Sequence, residues 1–210
     1  MHVRYGELLE GVASYYSEKL AQHGETPQGV DWNSEASQSL RFEQLCKIVG
    51  DADGFSINDL GCGYGALFDS LAERRPLFSY LGVDVSGSMI DAAKRRHHWT
   101  AQARFLCASE PDQVSDYSVA SGIFNVCLGH SLSVWREYVA ETLGILNRTS
   151  RQGFAFNCLT AYSDEDKKRS DLYYADPCQL FDFCKRHFSR QVALLHDYGL
   201  YEFTILVRKP

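Results

Sequence analysis

The stretch Asp59-Leu60-Gly61-Cys62-Gly63-Tyr64-Gly65-Ala66-Leu67 decides how the chain is read. It follows FSINDL, an apolar run of strand length, and precedes a segment with helical spacing over Ala66–Glu73. Glycines between a strand and a helix let the backbone turn sharply and approach a ligand without Cβ collisions. The helix that follows offers unpaired N–H donors to the polar end of that ligand. The pattern alone leaves two readings open, because Gly61-x-Gly63-x-x-Ala66 also satisfies a dinucleotide fingerprint.

Outward from this turn the chain alternates. LFSYLGVDV (77–85) reads as a strand, and Ser88 with Asp91 resembles a capping box opening a helix to about His97. ARFLCAS (103–109) and YSVASGIFNV (117–126) read as strands, Ser133 as the cap of the helix VWREYVAETLGIL, and GFAFNCLT (153–160) as a fifth strand. Asp176-Pro177 places a cap and a first-turn proline before a helix to about His187. The last apolar runs, around Tyr198-Gly199, read as a hairpin with a tight turn. Upstream, residues 3–20 carry helical spacing, GETPQG breaks it, and Asn33 or Ser34 caps a second helix through Ile48. Alternation of this kind predicts an α/β fold: a Rossmann-like, seven-stranded, mostly parallel sheet with helices on both faces and a C-terminal antiparallel hairpin. The 210 residues suit one domain, with 1–50 as an N-terminal helical lid or substrate region and 51–210 as the core.

Composition narrows the function. The net charge of −6 supplies no general attraction to a phosphate backbone, which disfavours nucleic-acid partners. The seven cysteines (46, 62, 107, 127, 158, 178 and 184) form no C-x-x-C and read as reduced thiols rather than a disulfide or metal framework. No signal-peptide core and no run of about 18 apolar residues is present, so a cytoplasmic protein without a membrane span is expected.

Three features separate the two readings of the glycine turn. Asp59 stands two places before Gly61, where dinucleotide sites usually carry an apolar residue; two helices precede the first strand; and the chain ends in a hairpin. On these features residues 35–210 resemble the class I S-adenosylmethionine-dependent methyltransferases. The segments Tyr16-x-x-Lys19-Leu20, His23-Gly24-x-Thr26-Pro27 and Val30-Asp31-Trp32-Asn33 are similar to small bacterial members. The resemblance implies S-adenosylmethionine as cofactor, held by Asp59, Gly61, Cys62, Gly63 and Gly65. Asp84, 25 positions after Asp59, is expected to accept hydrogen bonds from the ribose hydroxyls. Val85 and Met89 are expected to flank the adenine. Ala108-Ser109 stands where the family often has a small residue and Asp, a departure that moves the adenine contact toward backbone. Phe124 is placed at the methionine part, and Arg41 at its carboxylate.

A sulfonium methyl is already electrophilic, so orientation and water exclusion can carry much of the catalysis, with a base needed only for a protonated acceptor. His130 is the candidate base, since imidazole titrates near neutrality, with Asn125 beside it; a loop histidine near a helix cap is the alternative. His97 and His98 with Lys94, Arg95 and Arg96 suit a helix C-terminus. Tyr15, Tyr16, His23 and Trp32 are candidates for a lid, and Tyr173 and Tyr174, in the polar insert 162–177, for the acceptor pocket. The compact acidic chain favours a small-molecule acceptor. A protein or tRNA acceptor, a non-catalytic sensor of the cofactor and a nicotinamide-dependent oxidoreductase are the competing functions. Oligomeric state is not legible.

Overall fold

The computed structural model describes residues 2–52 and 54–210, with backbone alone at residues 2–4. Its seven strands are β1 (Phe55–Leu60), β2 (Phe78–Asp84), β3 (Ala103–Cys107), β4 (Ser115–Ala120), β5 (Ser150–Leu159), β6 (Gln191–Leu195) and β7 (Glu202–Arg208). They form one sheet in the order β3-β2-β1-β4-β5-β7-β6. The first five run parallel, and β7 lies antiparallel between β5 and β6. The expected fold class is the observed one.

The helices are α1 (His2–His23), α2 (Glu35–Cys46), α3 (Ala66–Ala72), α4 (Gly87–Arg96), α5 (Leu132–Arg148) and α6 (Pro177–His187), with a short 3-10 turn at Pro27–Val30. Alternation along each strand sends successive side chains to opposite layers. Leu45 of α2, Leu67 and Phe68 of α3 and Ile90 of α4 pack on Ile57, Tyr80 and Val119. On the other face Trp135, Val139 and Leu143 of α5 meet Phe154 and Phe156 of β5 and Phe203 and Ile205 of β7. Each of these side chains is almost wholly removed from water, a gain of about 1.5–3 kcal/mol apiece. Among the described residues no helix is long and apolar enough to cross a membrane.

The structure moves several boundaries. β4 stops at Ala120, because Gly122 takes φ +75 and its N–H donates to the Asn157 side chain at 2.7 Å instead of continuing the ladder. Phe124 and Asn125 therefore lie in the β4–α5 connection and do not end a strand. Helix α4 is capped by Ser86, whose Oγ accepts from Met89 N–H at 3.2 Å, two positions before the expected Ser88. Ser131, not Ser133, caps α5, and Asp176 caps α6 as read. The β6–β7 link runs over residues 196–201 and is no tight turn; Gly199, Leu200 and Tyr201 reach a cavity from it.

Because β1 passes to β2 on one side and pairs with β4 on the other, the strand order reverses at β1/β4. In open α/β sheets a crevice opens at the carboxyl ends of strands flanking such a point.

Candidate functional site

At that point lies a cavity of about 580 Å³, a volume in the range of small-molecule sites. Its floor is the turn after β1. Gly61 N–H and Cys62 N–H donate to Val83 O, at 2.7 and 3.1 Å, which binds the turn to β2. Gly61 has φ +79, and a Cβ there would stand 2.0 Å from Ile123 Cγ2. Gly65 has φ +85, with the Cβ position taken by His97 Nε2 at 2.7 Å. Only glycine tolerates both the left-handed backbone and these neighbours. Gly61, Cys62 and Gly63 line the cavity; Gly65 does not, since it faces back toward His97.

Asp84 ends β2 beside the turn. Its Oδ2 accepts from Gly63 N–H at 2.9 Å and its Oδ1 from Ser86 N–H at 2.8 Å. Burial raises its carboxyl above the usual range, and these backbone donors pull it back. The carboxylate is thus fixed in orientation with lone pairs left for a ligand in the cavity it lines. Val85, Met89, Ala108 and Ser109 continue this wall as an apolar slot with one hydroxyl.

Two buried charged groups on the same cavity each carry an unanswered atom. Asp59 Oδ2 accepts from Tyr80 Oη–H at 2.6 Å, while its Oδ1 is buried without a partner. Burial pushes this carboxyl up to about 7. Arg41 donates from Nε to Glu202 Oε2 at 2.7 Å and stacks 3.7 Å over the Trp32 ring, yet its Nη1 is buried and unpartnered. Buried orphan polar atoms cost about 1–3 kcal/mol each, more when charged, unless a ligand answers them. The free carboxyl oxygen of Asp59 and the free cationic N–H of Arg41 complement the ammonium and carboxylate of an amino acid.

The roof comes from α1, the turn after Pro27–Val30, and the insert after β5. Leu9, Val12 and Tyr16 of α1 line the cavity with Trp32 and Tyr138. Burial raises the phenols of Tyr16 and Tyr138, the latter to about 12, so both remain protonated hydrogen-bond donors. Asp31, a non-glycine residue at φ +59, is a hub. Tyr15 Oη–H donates to its Oδ2 at 2.9 Å, Lys19 Nζ stands 3.0 Å from Oδ1, and Arg169 of the insert reaches Oδ2 at 3.3 Å. The insert is seated from below, with Cys127 N–H and Leu128 N–H donating to Asp171 O and Tyr173 N–H to Asn125 O.

Of the residues singled out in the sequence, Asp59, Gly61, Cys62, Gly63, Asp84, Val85, Met89, Ala108, Ser109, Arg41, Asn125, Tyr16, Trp32 and Tyr174 meet on this cavity. Six others do not line it, among them His23, exposed at the end of α1. Phe124 is fully buried against Tyr138 and Phe156, Tyr173 is buried in the same apolar layer, and the Tyr15 hydroxyl is spent on Asp31. Gly65 caps α3. His130 follows the turn at Leu128 and Gly129, both at positive φ, and does not line the cavity. Asn125 reaches the cavity, but its amide oxygen accepts from Leu159 N–H at 3.1 Å. Sequence reading missed Asp31, Lys167, Arg169 and Glu202. Asp31 stood in the quoted segment Val30-Asp31-Trp32-Asn33, and Glu202 left a signal as a lone acid at the head of the apolar run EFTILV.

A family model described as a methyltransferase domain matches residues 57–153. A Mycobacterium tuberculosis protein carried under the name "Putative methyltransferase Rv1506c" is 61% identical over 163 residues, 78% of this chain and 98% of the relative. Among solved structures, the N-methyltransferase NodS of Bradyrhizobium japonicum with S-adenosylhomocysteine aligns with TM-score 0.65 at 14% identity, over 94% of this chain and 98% of NodS. The DhpI complex with S-adenosylhomocysteine aligns with TM-score 0.64 at 15% identity, over 97% of each chain. S-adenosylmethionine has an amino-acid end, a ribose diol and a flat adenine, the three chemistries that the orphan charges, the oriented Asp84 and the apolar slot complement. Sheet order, cavity chemistry and sequence kinship therefore agree that the chain belongs to the class I S-adenosylmethionine-dependent methyltransferases.

Proposed function

We propose that the protein methylates a small-molecule acceptor enclosed beneath the roof formed by α1, Asp31 and the insert. The observation that carries this reading is the convergence of α1, Asp31 and the insert over the cavity, where Arg169 of the insert reaches Tyr15 and Asp31. A metabolite fits such a chamber, whereas a protein or RNA acceptor needs an open groove.

In this reading Asp84 accepts from the ribose hydroxyls, Asp59 Oδ1 answers the ammonium, and Arg41 Nη1 answers the carboxylate. Val85, Met89, Ala108 and Ser109 hold the adenine. When bound, S-adenosylmethionine supplies an electrophilic methyl. The chain's own contribution is alignment of the acceptor lone pair and exclusion of water. Residues up to 50 act as the lid, with Tyr16 and Trp32 closing over the reacting atoms and Tyr174 on the acceptor wall. No imidazole base is assigned.

Incubation of a cell extract with methyl-tritiated S-adenosylmethionine tests the reading. Label is expected in the low-molecular-weight fraction and absent with Asp84→Ala, whose calorimetric affinity for S-adenosylhomocysteine falls about 10- to 100-fold. Label confined to protein or RNA would overturn the acceptor assignment, and a preference for NAD in the same titration would overturn the cofactor assignment.

A further inference from the structure

The insert that closes the cavity is rich in charge of both signs, but it turns only one sign inward. Of its acids, Asp164, Glu165, Asp166, Asp171 and Asp176, none lines the cavity; of its bases, Lys167 and Arg169 do. The acids have other work. Asp164 accepts from the Tyr201 hydroxyl, Glu165 pairs with Lys168, and Asp176 caps α6.

Arg169 is held like a presented cation. Asp171 grips it through Nε and Nη2, at 3.1 and 2.6 Å, and its backbone N–H donates to Tyr174 Oη at 2.9 Å. Its remaining contacts are long, 3.3 Å from Nη1 to Asp31 and 3.4 Å from Nη2 to Tyr15. Asp31 does not depend on that contact, since Tyr15 and Lys19 already answer both its oxygens at 2.9 and 3.0 Å. The Nη1 edge of Arg169 is therefore free to change partner at little cost. Lys167 adds a second charge whose ion pair is with its sequence neighbour Asp166, at 3.3 Å with both side chains more than half exposed, an arrangement worth little. The other cavity acids are engaged elsewhere: Glu202 by Arg41, Asp84 by backbone, Asp59 by Tyr80.

We infer that the acceptor carries an oxyanion, a carboxylate or phosphoryl group, that docks on Arg169 Nη1 and Lys167 and keeps its charge while another atom is methylated. The inference rests on the small-molecule reading above and deepens it. Nη1 offers such a group charge-assisted hydrogen bonds, while Asp171 fixes the guanidinium plane through Nε and Nη2. The insert follows β5, on the far side of β1 from β2 and Asp84, so this docking point belongs to the acceptor.

The tritium-labelled small-molecule product is resolved by electrophoresis at pH 8, where an anion is expected. Alkaline phosphatase separates the two sources: loss of mobility identifies a phosphomonoester, and unchanged mobility a carboxylate. With diluted extract, Arg169→Gln and Lys167→Gln are expected to lower incorporation about tenfold, Arg169→Lys less, with recovery as the extract is concentrated, the mark of a KM effect. Calorimetric affinity for S-adenosylhomocysteine stays within twofold of wild type, which certifies folded protein. A labelled small molecule migrating as neutral or cationic, or incorporation by Arg169→Gln equal to wild type at every dilution, overturns the oxyanion while leaving the small-molecule reading standing. Label in macromolecules overturns that reading first.

Discussion

The turn at Gly61–Gly65 and the roof around Asp31 face one another across a single cavity, yet they are held by different kinds of force. The turn is backbone fixed to backbone and to one nearby carboxylate, with Val83 O receiving two N–H groups and Gly63 N–H meeting Asp84 21 positions on. The roof is side chain to side chain: Tyr15 to Asp31 across 16 positions, and Arg169 to Asp31 across 138. A backbone-built wall is rigid and preformed, which suits a cofactor shared by a family. Partly exposed side-chain contacts are individually weak and can exchange partners, which suits the substrate wall proposed above.

Arg41 ties Trp32, beside the roof, to Glu202 of β7, and its replacement is the largest expected effect. The Arg41–Glu202 pair is buried, at 9% and 2% side-chain exposure, and Arg41→Ala leaves Glu202 as an uncompensated buried charge. Destabilisation of about 3–5 kcal/mol is expected, a fall in melting temperature on the order of 10 °C. Arg41→Leu combined with Glu202→Leu recovers most of that stability without recovering affinity for S-adenosylmethionine. Should the single variant melt like wild type, the pair does not brace α2 against β7.

The same contrast explains what the sequence disclosed. Strand and helix periods are local, so β1, β2, β3 and the final hairpin were legible, as were Gly61, Gly63 and Asp84, whose spacing follows from one strand–helix–strand unit. The end of β4 was not legible. SVASGIFNV reads as one apolar run, and the stop at Ala120 depends on Asn157, a residue 35 positions away that takes the Gly122 N–H. With that stop Phe124 lies in the β4–α5 connection and is buried in the core. The roof was illegible for a similar reason. The pattern of charges in residues 164–171 does not tell which turns inward, since Arg169 is gripped by Asp171 but meets the cavity beside Tyr15 and Asp31, residues 154 and 138 positions away.

Asp59 gives a test confined to the rigid wall. Its carboxyl is raised from the ordinary range near 4 to about 7, first by burial and further by Asp84, with Tyr80 opposing. A raised acid stabilises the fold most while protonated, so its contribution is complete below about pH 4 and is lost as the pH climbs through 7. The cofactor-free protein should lose up to about 4 kcal/mol across that interval from this group. Asp84, raised likewise by burial, acts in the same direction. In Asp59→Asn the Asp59 share of the slope disappears, and the variant is more stable than wild type at pH 8 though it binds S-adenosylmethionine less well. Thermal melts from pH 4 to 8 read this directly; matching profiles for the two proteins would mean that Asp59 is not the buried acid described here.

The smallest effect probes the roof. Tyr15→Phe keeps the ring, which packs edge-on against Tyr16 at 5.2 Å, and removes only the hydroxyl that donates to Asp31 and meets Arg169. One hydrogen bond to a largely buried carboxylate contributes about 0.5–1.5 kcal/mol, so the open form of the insert should become roughly 2- to 12-fold more populated. Global stability and S-adenosylhomocysteine affinity should barely change, because the glycine turn and Asp84 make no contact with this hydroxyl. The insert carries its own reporter in Lys167-Lys168-Arg169, a run of trypsin sites. When opening is fast relative to cleavage, the proteolysis rate follows the open population, so nicking at this run should accelerate by the same factor. Equal nicking rates in wild type and Tyr15→Phe would show that the roof is held by its seat on Asn125, Cys127 and Leu128 rather than by Tyr15 and Asp31, and the contrast between a rigid floor and an exchangeable roof would then have to be redrawn along the insert itself.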